Sequence, residues 1–80
     1  MNSAFVFIQL AGIADRDGVK ALHDSLHAVG GVKTVHFVAG PTDVIAYVEA
    51  ADQSGLMEAI GQLRGVKGVA STDTRIVLPL

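Results

Sequence analysis

Val32-Lys33-Thr34-Val35-His36-Phe37-Val38-Ala39-Gly40-Pro41-Thr42-Asp43-Val44-Ile45-Ala46-Tyr47-Val48-Glu49, residues 32–49, decides the fold. Two runs rich in Val, Ile, Ala and aromatic residues flank Gly40-Pro41-Thr42-Asp43, and this spacing predicts an antiparallel hairpin with strands over 32–39 and 43–49. Gly40 admits backbone angles closed to other residues, and Pro41 fixes φ near −65° and withholds a donor, so the turn projects in a defined direction. A stiff turn can hold a ligand as well as reverse the chain.

Outward from the hairpin, Val19, Leu22, Leu26 and Val29 follow the i, i+3, i+7, i+10 spacing of one helical face, with Asp15 or Asp17 as cap and Gly30-Gly31 as stop. Before that helix, Ala4-Phe5-Val6-Phe7-Ile8-Gln9-Leu10 reads as a strand apolar on both faces and ended by Gly12. After the hairpin, Asp52 caps a second helix whose inner face is Leu56, Ala59, Ile60 and Leu63, with Gly61 outside and Gly65 and Gly68 closing it. Val69 to Leu78 is a final strand, stopped by Pro79. The order β-α-β-β-α-β, with Gly31-Val32-Lys33-Thr34-Val35 echoed by Gly65-Val66-Lys67-Gly68-Val69, predicts a ferredoxin-like sandwich. This is an α+β fold with a four-stranded antiparallel sheet and two helices on one face.

Two helices cover only one face of such a sheet. The other carries Phe5, Phe7, Ile45 and Tyr47, and leaving them in water forgoes roughly 1.5–3 kcal/mol for each large apolar side chain. A second subunit packed sheet to sheet would cover them, giving a dimeric α/β-barrel. Composition agrees: half of the 80 residues are apolar and the mean hydropathy is +0.45, high for a chain whose surface must be mostly polar. An even composition places residues 1–80 in one small ligand-binding and oligomerising domain.

Composition also excludes several functions. There is no cysteine, hence neither disulfide framework nor thiolate metal site. A net charge of −2, with six scattered basic residues and 5% aromatics, makes no phosphate-binding stripe, which argues against direct nucleic-acid contact. No stretch is apolar and long enough to span a bilayer, and no basic n-region opens the chain, so no membrane partner and a cytoplasmic location are expected. His23 and His27 have the H-x-x-x-H spacing of a metal pair, but Leu22, Leu26 and Val29 define the buried direction. That leaves His23 at its edge and His27 in solvent, without a third ligand; no metal, no cofactor and no catalytic residue is assigned. His36 opposes Val35 and Phe37 in parity and falls on the face proposed for the dimer. No serine elbow, acid–base pair or phosphate loop is present, so an enzyme is not the expected reading.

These motifs resemble the ligand-binding domain of the leucine-responsive regulatory protein/AsnC regulators, the domain for regulation of amino acid metabolism. The resemblance rests on Ala4-Phe5-Val6-Phe7-Ile8, on Val29-Gly30-Gly31-Val32, on the hairpin Val38 to Glu49, on the helix start at Asp52, and on Gly65 to Val69 followed by Ser71 to Leu78. It implies face-to-face homodimers that assemble further into rings of dimers. It also implies a small-molecule effector, commonly an amino acid, held between dimers near the hairpin turn, and a full-length regulator of the same family as a possible partner. The ligand site so implied is Gly40, Pro41, Thr42 and Asp43, with Thr72 and Thr74 offered by a neighbouring subunit. Thr42 stands where the family usually has an aromatic residue, and the chain begins at the first strand, where the family places a helix-turn-helix ahead of it. Two alternatives share the element order. Asp15-Arg16-Asp17-Gly18-Val19 is similar to the start of amino-acid-binding ACT domains, and small dimeric α/β-barrel enzymes such as heme-free monooxygenases would use His36 or Tyr47 in a cavity between sheets.

Overall fold

The computed structural model describes residues 1–12 and 15–80. Its elements run β1 (Asn2–Leu10), α1 (Arg16–His27), β2 (Val32–Phe37), β3 (Val44–Ala50), α2 (Gln53–Arg64) and β4 (Val69–Ile76). The four strands form one antiparallel sheet in the order β2-β3-β1-β4, so the first strand lies inside and the last at an edge. The ferredoxin-like expectation is the fold observed.

Period-two burial separates the two faces of the sheet. Ala4, Val6 and Ile8 of β1 and Val44, Ala46 and Val48 of β3 have no exposed surface, and they pack with Leu22 and Leu26 of α1 and Leu56, Ala59, Ile60 and Leu63 of α2. The opposite parity carries Phe5, Phe7, Ile45 and Tyr47, with Phe5 beside Tyr47 and Phe7 beside Ile45 in register. No helix covers these four. Phe5 is 43% exposed, whereas the other three are half-buried within their own rows. The Phe5 and Tyr47 rings lie 5.0 Å apart, and the Arg75 guanidinium sits 5.3 Å above the Phe7 ring. The face shields part of its own apolar area, so less is left in water than parity alone suggests.

Both helices begin with the same device. Asp15, not Asp17, caps α1 by accepting from Gly18 N at 2.7 Å, and Asp52 caps α2 by accepting from Gly55 N at 2.8 Å. Both end alike. Val29 N and Val66 N donate to Leu26 O and Leu63 O, and Val32 N and Val69 N donate to Val29 O and Val66 O. Gly31 (φ +95°) and Gly68 (φ +100°) make the two left-handed corners. The internal echo is therefore Val-x-Gly-Val, Val29 to Val32 against Val66 to Val69, which pairs Gly31 with Gly68. The match of Gly31 to Gly65 is out of register, because Gly65 is the αR residue that caps α2. Across cap, helix and corner the two halves keep a constant offset of 37 positions (15 to 52, 18 to 55, 29 to 66, 31 to 68).

The regular strands stop earlier than patterning suggests. β2 ends at Phe37, because the chain begins to turn at Val38, whose N–H reaches Asp43 O at 2.9 Å. β4 ends at Ile76, although Val77 N still donates to Ser3 O.

Candidate functional site

The hairpin turn is tied to the end of β1. Extending the β1–β3 register past Ile8 and Val44 would bring Leu10 opposite Thr42, but the main chain has already turned away there. The Asp43 carboxylate takes the place of the missing carbonyl: Oδ2 accepts from Leu10 N at 2.9 Å, while Asp43 N donates to Ile8 O at 3.2 Å. Gln9 Nε2 donates to Pro41 O. Together with Gly40 at φ +133°, these contacts hold residues 40–43 against the sheet. Asp43 thus serves β1 and not the turn's own amides, and its Oδ1 meets no donor among the described residues.

Beside this clasp lies an open cavity of about 280 Å³ lined by Leu10, Gly12, Val19, Phe37, Val38 and Asp43. Leu10, Val19, Phe37 and Val38 contribute apolar side chains, backbone polar groups make up much of the rest, and Asp43 is the charged member. Of the four implied turn residues only Asp43 lines it; Gly40 and Pro41 are exposed and Thr42 is half-buried. Thr72 and Thr74 are not part of this cavity. They share the helix-covered parity, opposite Ile8 and Val6, and Thr72 lines a second cavity of about 280 Å³ with Arg64, Val69, Ala70 and Ser71. Val44 and Thr72 flank Ile8 from its two sides, so Asp43 and Thr72 sit at one end of the sheet with β1 between them, about 10 Å apart by strand spacing. Within one chain, the first four implied site residues come together and the two threonines do not join them.

Gln9, Val19 and Phe37 were missed from sequence as neighbours of the site. The signal for Gln9 was available: pairing Phe5 with Tyr47 puts the end of the first strand beside the turn.

The remaining polar groups are placed as follows. His23 is half-buried and His27 exposed; their rings stack at 5.8 Å, and His23 also lies over Phe37 at 6.3 Å. Among the described residues no three His, Cys, Asp or Glu side chains converge as metal ligands. Asp24 receives Lys20 Nζ at 3.0 Å, and that hydrogen bond, ahead of the one to His23, holds its carboxyl below the usual range. His36 pairs with Ile45 on the uncovered face, where Tyr47 Oη donates to Glu49 Oε2 at 3.0 Å. On the same face Arg75 forks onto Asp73 at 3.0 and 3.2 Å, lowering the Asp73 pKa and raising that of the guanidinium. No helix among the described residues is long and apolar enough to cross a membrane.

These features define a βαββαβ sandwich with one sheet face left uncovered by helices and a braced hairpin beside a small open cavity. Residues 3–79 match the Lrp/AsnC ligand binding domain, and the chain belongs to that family. The Thermus thermophilus protein TTHA0845 is 30% identical and superposes with a TM-score of 0.83 over all of this chain and 96% of that one. The Mycobacterium tuberculosis feast or famine regulatory protein, in its complex with L-methionine, is 24% identical with a TM-score of 0.77, over all of this chain and 52% of that one. Escherichia coli AsnC shares the fold at 20% identity, with a TM-score of 0.78 over 99% of this chain and 53% of its own. Among curated relatives, homocitrate synthase of Sulfurisphaera tokodaii is 43% identical over 53 residues, but the chain spans only 12% of that protein's length.

Proposed function

We propose that this domain senses an amino acid, held at the Asp43 end of the hairpin, and that it works as an oligomer able to modulate regulators of its own family. The observation that carries the reading is the cavity at Asp43. It is stiffly framed, just under the roughly 300 Å³ at which small-molecule sites begin, and supplied with one carboxylate oxygen left free by the β1 clasp. That oxygen would accept from the ligand's ammonium group, Leu10, Val19 and Phe37 would meet its side chain, and Thr72 and Thr74 of a neighbouring subunit would donate hydroxyls to its carboxylate. L-Methionine in the mycobacterial regulator supports this ligand class.

The uncovered sheet face supports a face-to-face homodimer, and rings of such dimers would bring the hairpin turns between subunits. A thermal-shift screen of the common amino acids tests the effector, because a ligand bound only by the folded state raises stability by RT ln(1 + [L]/Kd). A flat response to all of them at millimolar concentration overturns the sensor reading. Phe7→Lys tests the dimer: it would bury an unpaired charge beside Arg75, so sedimentation should show a shift from dimer to monomer. A wild-type monomer at micromolar concentration overturns it.

A further inference from the structure

A third cavity, of about 380 Å³, opens between α1 and the corner that joins α2 to β4, lined by Gly18, Ala21, Leu22, Ser25, Lys67 and Gly68. Gly18, Ala21 and Ser25 follow the i, i+3, i+7 spacing of one helical face, and their small side chains leave room above Leu22. The opposite wall is held firmly. Ala11 N donates to Gly68 O at 2.8 Å, Val69 N donates to Val66 O at 3.1 Å, and a Cβ at Gly68 would stand 3.6 Å from Leu22 Cδ1. Lys67 is exposed and pairs with no carboxylate among the described residues, so its stem can follow the wall with the ammonium at the mouth. None of the lining residues is acidic, and Asp15, which touches Gly18, has Oδ1 committed to the helix cap at 2.7 Å. The internal duplication supplies a comparison within the chain. Shifted by 37 positions, Gly31 faces Ala59 at 3.6 Å as Gly68 faces Leu22. There, however, Ala21 and Ser25 are replaced by Glu58 and Gln62, whose side chains reach each other at 3.5 Å, and Lys67 is replaced by Gly30. Short side chains and a cation thus belong to the first half alone.

We infer that this groove binds a short-chain aliphatic carboxylate, with the hydrocarbon tail over Ala21 and Leu22 and the carboxylate at the Lys67 ammonium and the Ser25 hydroxyl. The volume is within the range of small-molecule sites, which begin at roughly 300 Å³. Charge selects among occupants of that size. A cation is repelled by Lys67, a polyanion finds one cation above an apolar floor, and a neutral hydrocarbon leaves the ammonium unused. The groove shares no lining residue with the cavity at Asp43, so the two sites are separate. A simple carboxylate also has no ammonium group for Asp43 to hold.

The test is an NMR titration of the full chain with butanoate, pentanoate and hexanoate, read at backbone amides. Shifts should centre on Ala21, Ser25 and Gly68, and Kd should fall roughly two- to fourfold with each added methylene. 1-Hexanol, which keeps the tail without the charge, should bind wild type about two- to fivefold more weakly than hexanoate does, and Lys67→Gln should weaken hexanoate by the same factor. Ala21→Gln with Ser25→Gln copies the long side chains of α2 without adding charge. Both positions are exposed and glutamine is a good helix former, so this protein should melt within a few degrees of wild type yet bind hexanoate at least roughly tenfold more weakly. The inference is overturned if millimolar hexanoate shifts none of these amides, if affinity is independent of chain length, or if hexanol binds as well as hexanoate. Equal binding by wild type and the double-glutamine protein overturns it as well, as do shifts centred on Leu10, Val38 and Asp43, which would put the carboxylate in the other cavity.

Discussion

Replacing Asp43 separates the two tasks its carboxylate is given. In Asp43→Ala the part-buried Leu10 N–H, 2.9 Å from Oδ2, loses its acceptor, while the main-chain bond from Asp43 N to Ile8 O is untouched. A donor left unpaired away from water costs about 1–3 kcal/mol, and incomplete burial favours the lower half, about 1–2 kcal/mol. For a domain of this length each kcal/mol moves Tm by roughly 4–8 °C, so Asp43→Ala should melt about 5–15 °C below wild type. Asp43→Asn keeps a carbonyl oxygen for Leu10 N–H and should melt within a few degrees of wild type, on the order of 0.5 kcal/mol. Binding should follow the opposite order of sensitivity. The amide removes the charge that meets the ligand's ammonium, a loss of about 1.5–3 kcal/mol, or roughly 10- to 150-fold in Kd. Circular-dichroism melts of the three proteins, with calorimetric titration of wild type and Asp43→Asn, read both tasks. If Asp43→Ala melts with wild type, the clasp on β1 contributes nothing. If Asp43→Asn binds every amino acid that wild type binds, with equal affinity, Asp43 is structural only and the ligand site lies elsewhere.

Gly31 combines φ +95° with a Cβ position 2.8 Å from Glu49 O, so Gly31→Ala should cost on the order of 1–3 kcal/mol in denaturant titration. Gly30→Ala, where a Cβ meets open space, should cost less than about 1 kcal/mol, and equal effects would refute the corner argument. His23→Gln with His27→Gln should leave stability within about 0.5 kcal/mol of wild type, as expected for solvent-edge positions. A drop of several degrees in Tm would show that the stack of His23 on Phe37 matters more than its exposure suggests. Asp24 and Asp73 are held below their usual value of 3.8, by Lys20 and Arg75 respectively. Their folded pKa values are depressed, so what they add is present above 3.8 and fades as pH falls below it; urea midpoints of Asp24→Asn and Asp73→Asn should converge on wild type in that acid range. Persistent differences at pH 2 would contradict the assignment.

The fold was legible because its signals were local and agreed with one another. The short apolar, β-branched and aromatic runs at residues 4–10 and 44–49, the capping aspartates and the Gly-rich corners each name an element without reference to the others. What sequence could not supply was the relation between elements. That Asp43 reaches Leu10 N–H depends on the β1–β3 register running out one residue before the turn. The cover that Arg75 gives Phe7 depends on β4 lying next to β1. The internal echo shows the same limit: residue identity favoured Gly31 with Gly65, whereas backbone conformation pairs Gly31 with Gly68. Thr72 and Thr74, which the resemblance offers from a neighbouring subunit, lie in their own chain on β4, across β1 from the turn, a relation that only the strand order reveals.

β1 is the first of the six elements to leave the ribosome, yet it ends between β3 and β4. Its register partners in the sheet lie from 36 residues (8 to 44) to 72 residues (4 to 76) away, so the loop-closure cost falls late and little of the sheet can form in synthesis order. Until β3 arrives, the apolar run from Phe5 to Ile8 has no strand on either side; until β4 arrives, one side stays open. Folding of this chain is therefore a late, concerted closure, and a nascent chain stalled between Ala50 and Val69 would present β1 as a bare template for the β4 of another molecule, the starting point of strand exchange.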